Sequence, residues 1–168
     1  GIRDLVRSRG LGDVYKRQNN NFVRVIHIVK SLPGTTVSYN RVSGLYASSP
    51  STGFNADYVF GFSNELNAEA TYFNNTVSLD GGSAPSDRII IGISDQSGYG
   101  VTCNYYYNSV NIYGASSGSN NTYGFSRISY VETILNIMNN VFSNSSTTTG
   151  TGANIALANE GSSTGWPA

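Results

Sequence analysis

The chain is 168 residues long, enough for one domain or a short stack of repeats. Only 12% of its residues are charged, the formal net charge is zero, and polar character comes instead from Asn, Ser, Thr, Gly and Tyr. That balance offers no basic footprint for nucleic acid, and no run of about 18 apolar residues is present to cross a membrane as a helix.

Residues 1–18 differ from the rest. They carry five bases (Arg3, Arg7, Arg9, Lys16, Arg17) against two acids, whereas the following 150 residues hold five bases and eight acids. The run Ser8-Arg9-Gly10-Leu11-Gly12-Asp13-Val14-Tyr15-Lys16-Arg17-Gln18 resembles translated sequencing-adapter sequence. That resemblance implies a non-native segment over 1–18 joined to a truncated reading frame from a metagenomic source. The repeat region is then 19–168, about four coils plus a partial one.

Two recurring segments define that region. The first is a short strand centred on a small residue: Phe60-Gly61-Phe62, Ile91-Gly92-Ile93, Tyr123-Gly124-Phe125 and Ile155-Ala156-Leu157. Its period is about 32 residues, and Ile26-His27-Ile28 reads as an earlier copy with His27 in the small-residue position, pointing outward. The second segment places Val two residues after Asn, at Asn40, Asn75, Asn108 and Asn139. Between the two lie Tyr- and Phe-rich stretches with alternating apolar residues, the mark of strands rather than of helical repeats. The helix-like spacing of Ile128 to Met138 is overridden by its match to the strand from Asn104 to Val110. Gly/Ser-rich segments at 80–86 and 114–120 read as loops closing each unit.

These features predict an all-β, right-handed parallel β-helix with coils of about 32 residues. Stacking then produces columns: Phe60, Ile91, Tyr123 and Ile155 beside Phe62, Ile93, Phe125 and Leu157, all facing inward. A structural Asn column, Asn40, Asn75, Asn108 and Asn139, is expected to bond amide to amide through a bend. Asp95 and Arg127 fall at equivalent positions and read as a cross-coil ion pair.

The strands Tyr107 to Ile112, Tyr123 to Phe125 and Asn139 to Asn144 resemble the pectate-lyase-like β-helix repeats of large secreted bacterial surface proteins. The resemblance implies export, with an extracellular or cell-surface location, and says little of activity.

Candidates for chemistry are sparse. Asp57, Asp80, Asp87, Asp95, Glu65, Glu69 and Glu132, with Arg88 and Arg127, form no recurring pair of stacked carboxylates of the kind that polysaccharide-cleaving β-helices use. His27 lacks partners for metal or base work, and Cys103 reads as a small buried hydrophobe. No catalytic, cofactor-binding or metal-binding residue is assigned, and no cofactor is expected. Tyr105, Tyr107 and Tyr113 are the candidate ligand-stacking surface, suited to sugar rings. The expected function is a non-catalytic structural or adhesive repeat module, with weak binding to extracellular glycans or surface proteins and self-association through open helix ends. The alternative is a fragment of a β-helix polysaccharide lyase or glycoside hydrolase whose catalytic coils lie outside the chain.

Overall fold

A computed structural model describes residues 22–45, 57–80, 88–116, 119–128, 133–148 and 150–160. The adapter-like segment, Asp87 and Glu132 lie outside the described residues, as do the side chains of Phe22, Asp57 and Ser116. Every regular element among the described residues is a strand.

The strands repeat in threes. β1 (Phe22–Lys30), β2 (Thr35–Ser38) and β3 (Arg41–Ser43) make one coil; β4 (Asp57–Asn67), β5 (Ala70–Phe73) and β6 (Thr76–Asp80) make the next. The third coil is β7 (Arg88–Ser97), β8 (Thr102–Tyr106) and β9 (Ser109–Tyr113), followed by the short β10 (Ala115–Ser116). The fourth is β11 (Thr122–Arg127), β12 (Ile134–Met138) and β13 (Val141–Asn144) with β14 (Thr147–Thr148), and β15 (Asn154–Asn159) begins a fifth. Like pairs with like, always in parallel: a first sheet β1-β4-β7-β11-β15, a second β2-β5-β8-β12 and a third β3-β6-β9-β13. The chain is thus an all-β parallel β-solenoid of roughly 32-residue coils, as the repeat predicts. β10, which pairs with β14, lies within the 114–120 segment read from sequence as a loop.

The register places Phe60, Ile91, Tyr123 and Ile155 in one column and Phe62, Ile93, Phe125 and Leu157 in another, as expected. Their faces differ from expectation. The Phe62 column lies in the main core with Val59, Ile90, Tyr72 and Tyr105, whereas Phe60, Ile91 and Tyr123 belong to a second cluster with Tyr58, Ile89 and Ile155. The small residue between them is the cause. A Cβ on Gly61 would meet Val77 Cγ1 and the Gly92 carbonyl oxygen, each at 2.5 Å, so this position faces the interior against the third sheet. Residues 61 and 62 therefore both face inward, and the alternation changes phase there.

The phase change also relocates His27. Arg24 pairs with Phe60 and Ile26 with Phe62, which leaves Val25 at the small-residue position and sets His27 beside Ser63. His27 Nε2 lies 3.7 Å from Glu65 Oε2, and Arg24 donates to Glu65 Oε1 at 2.8 Å while its guanidinium sits 5.2 Å over the Phe60 ring. Inside the core, Phe62, Tyr72, Tyr105, Phe125 and Phe142 form an aromatic stack, with Tyr72 and Tyr105 nearly parallel at 5.0 Å. Full burial of each such ring contributes on the order of 1.5–3 kcal/mol.

Candidate functional site

One concentration of polar groups lies inside the solenoid where the first sheet turns into the second. Asn64, Asp95 and Arg127 occupy one buried column. The register between Asp95 and Arg127 is the expected one, and both side chains join a wider set of contacts. Asp95 Oδ2 accepts the Tyr105 hydroxyl at 2.6 Å, and Oδ1 accepts Ser97 Oγ at 2.5 Å and the Ser97 N–H at 3.0 Å. Arg127 Nη2 donates to Thr133 Oγ1 at 2.7 Å. One coil earlier, Tyr72 donates to Asn64 Oδ1 at 3.1 Å, while Asn64 Nδ2 reaches the Ala68 carbonyl and Cys103 Sγ, each at 3.1 Å.

Burial dominates the electrostatics of this corner. It pushes the Cys103 thiol up to about 12 and the Tyr72 and Tyr105 hydroxyls well above the usual phenol range, the nearby Asp95 carboxylate adding to each. All three groups stay protonated near neutrality and serve as hydrogen-bond donors. A buried thiol in that state is a poor nucleophile, and its contacts tie neighbouring coils together.

Among the described residues, acidic side chains do not stack in pairs. Asp57 pairs with Arg88, Glu65 with Gln96, Asp95 with Asn64 and Arg127, and Asp80 with Tyr113. Among the described residues no group of three or more His, Cys, Asp and Glu side chains is gathered closely enough to hold a metal ion.

The Asn column is present with one member changed. Asn40, Asn75 and Asn108 each donate both a main-chain N–H and Nδ2 to the Oδ1 of the next coil's Asn, at 2.8–3.1 Å. The fourth member, and third acceptor, is Asn140, not Asn139, because Val141 pairs with Ser109 and so aligns Asn140 with Asn108. Asn139 belongs instead to the preceding position, where Tyr39, Asn74, Tyr107 and Asn139 all adopt left-handed backbone, with φ between 52° and 56°. The sharp bend is therefore made one residue before the ladder, and the ladder amides secure it.

The predicted tyrosine surface divides. Tyr105 is 0% exposed and sealed between Tyr72 and Phe125, so it is removed from any contact surface. Tyr107 is 60% exposed and Tyr113 lies on the outer side of the third sheet at 37%. Tyr39, unassigned from sequence, is 74% exposed and packs edge-on to Phe73 at 5.3 Å. Its equivalence to Tyr107 through Asn74 was the signal for it.

Tyr39 and Tyr107 flank the outer face of the second sheet. On that face Ser38, Phe73, Tyr106 and Met138 form one column and Thr71, Asn104 and Asn136 another. Asn136 and Tyr106 both donate to Asn104 Oδ1, at 2.8 and 2.9 Å, and Asn104 Nδ2 reaches Thr71 Oγ1 at 3.1 Å. The result is a strip of half-exposed rings beside a row of uncharged amides, held in place from within the sheet.

Comparison with family profiles, with curated proteins and with solved structures returned no match. The class that the coordinates define is the parallel β-solenoid.

Proposed function

We propose that this chain is a non-catalytic structural or adhesive repeat module of a secreted or cell-surface bacterial protein, one that extends a stiff solenoid and makes weak contacts with neutral glycans or a protein surface. The observation that carries the reading is the outer face of the second sheet. Tyr39 and Tyr107 occupy one column two coils apart, about 10 Å by coil spacing. The Asn104–Asn136 amide row runs alongside. Rings supply stacking faces for sugars, amides supply donors and acceptors for hydroxyls, and the strip carries no charge that would favour an ionic ligand. Stiffness follows from identical rungs at each coil, because a solenoid gains stability from nearest-neighbour contacts repeated along its axis.

Affinity electrophoresis in gels containing neutral or acidic polysaccharides tests the reading, with a parallel assay for shortened products. Retardation by neutral glycans, abolished in Tyr39→Ala/Tyr107→Ala and without product release, is expected. Product release from any polysaccharide would overturn it in favour of an enzyme.

A further inference from the structure

The column at the bend between the second and third sheets alternates in kind. Its members, one per coil, are Tyr39, Asn74, Tyr107 and Asn139: ring, amide, ring, amide. All four hold left-handed backbone, and all four are exposed. Their register is fixed by the main chain, since the N–H groups of Tyr39, Asn74 and Tyr107 donate to the Phe73, Tyr106 and Met138 carbonyls of the next coil at 3.2–3.3 Å. One residue further on, the buried ladder bonds its amides to one another, from Asn40 through Asn75 and Asn108 to Asn140. The side-chain amides of Asn74 and Asn139, by contrast, bond to no other described residue and stay open to a ligand.

We propose that this column binds a straight, neutral β-1,4-linked glycan lying along the solenoid axis, an inference that rests on the glycan reading above and narrows it to one linkage. In an extended β-1,4-linked chain each pyranose is turned about half a turn from its neighbour, so the same ring face recurs at every second sugar. The protein column repeats with the same count. Its rings stand two coils apart, about 10 Å at the spacing of neighbouring strands, and the rise of one coil, about 4.8 Å, is close to the advance of one sugar in such a chain. Tyr39 and Tyr107 then stack on alternate sugars, and Asn74 and Asn139 reach the hydroxyls of the sugars between and beyond. An α-1,4-linked chain winds into a helix and a β-1,3-linked chain curls, so neither holds its third sugar over the second ring. Neither the column nor the Thr71, Asn104 and Asn136 row beside it carries a charge, which suits a neutral chain.

Calorimetric titration of the full chain with cellohexaose, chitohexaose, maltohexaose and laminarihexaose tests the linkage. One or both of the β-1,4-linked probes should bind about ten-fold tighter than the other two, and the matching disaccharide, too short to span both rings, should lose about as much. The exchange Tyr107→Asn with Asn139→Tyr keeps the composition of the column and moves its rings from two coils apart to three. Tyr and Asn both already occupy this backbone conformation, and thermal melts establish that the exchanged variant remains folded. Its affinity for the hexasaccharide should fall to that of the disaccharide. Equal affinity for all four probes, no gain beyond the disaccharide, or an exchanged variant as tight as the parent would overturn the linkage while leaving a glycan-binding face in place. Failure of all four probes to bind would remove the glycan reading and this inference together.

Discussion

Asn108 Oδ1 accepts both the Asn75 N–H, at 3.1 Å, and Asn75 Nδ2, at 2.9 Å, so one buried oxygen fixes the backbone and the side chain of the coil before it. The Asn108 amide in turn donates to the Tyr72 carbonyl and to Asn140 Oδ1, both at 2.9 Å. Replacing Asn108 with Ala removes the acceptor of the Asn75 N–H, one of the two acceptors of Asn75 Nδ2, which keeps the Val37 carbonyl, and one donor to the Tyr72 carbonyl. Each group left unsatisfied in a buried site costs about 1–3 kcal/mol. Chemical denaturation is expected to register a loss of at least 2 kcal/mol for Asn108→Ala and well under half of it for Asn139→Ala. Equal losses would place the ladder at the wrong residue.

Tyr107 holds left-handed backbone at φ 54°, where Asn74 and Asn139 occupy the same column in other coils. Asn tolerates this region better than a ring-bearing residue does. Tyr107→Asn is expected to stabilise the fold by about 0.5–1 kcal/mol while weakening glycan retardation. Improved stability with unchanged binding would dissociate Tyr107 from the contact face.

Ser126 is fully buried, although it follows the inward-facing Phe125. Its hydroxyl has no hydrogen-bond partner, and the next coil places Ala158 at the same position. Ser126→Ala should therefore raise stability by about 1 kcal/mol, since it removes a buried polar group whose hydrogen bond is unmade. Phe125→Ala, in the core between Tyr105 and Phe142, should cost about 3–5 kcal/mol. Paired melting curves decide both, and a destabilised Ser126→Ala would contradict the burial assignment.

Gly92 shows what the phase change requires. A Cβ there would run into Val110 Cγ1 and lie 2.6 Å from the Gly124 carbonyl oxygen. Gly92→Ala is expected to cost about 3 kcal/mol, the upper part of the overpacking range. Gly100, at φ 74° with nothing within 4 Å, should cost only about 1 kcal/mol on the same change. Reversal of that order in urea titrations would mean that the glycine column is not packed against the third sheet.

The Cys103 thiol is pushed up to about 12 from 9.0, chiefly by burial. The folded state holds its proton more tightly than the unfolded state, so the contribution is complete below pH 9 and is lost as pH rises from 9 through about 12. Tyr72 and Tyr105, raised in the same direction, steepen the loss. Stability measured from pH 8 to 11 should fall, and Cys103 should resist thiol reagents at pH 8 until the chain unfolds. Rapid labelling of the native chain would show that the corner is open.

The period, the strand order and most of the register were legible in the sequence because stacking repeats residue types at fixed spacing, as in Phe60, Ile91, Tyr123 and Ile155. Faces were less legible. Simple alternation cannot reveal that Gly61 and Phe62 both turn inward, since the phase change depends on a glycine packed against Val77. Asn139 and Asn140 are adjacent asparagines, and only the pairing of Val141 with Ser109 separates the one in the bend from the one in the ladder. Tyr105 and Tyr107 look equivalent as letters, yet one stacks on Tyr72 and the other sits in the left-handed bend.

Titration of the 15N-labelled chain with neutral oligosaccharides, followed residue by residue in NMR spectra, tests the functional reading most directly. The account predicts shifts confined to the outer face of the second sheet, at Tyr39, Thr71, Phe73, Asn104, Tyr106 and Tyr107, with fast exchange and an unchanged ligand after prolonged incubation. Shifts centred elsewhere, on the Asp95 corner for example, or cleavage of the oligosaccharide, would contradict it.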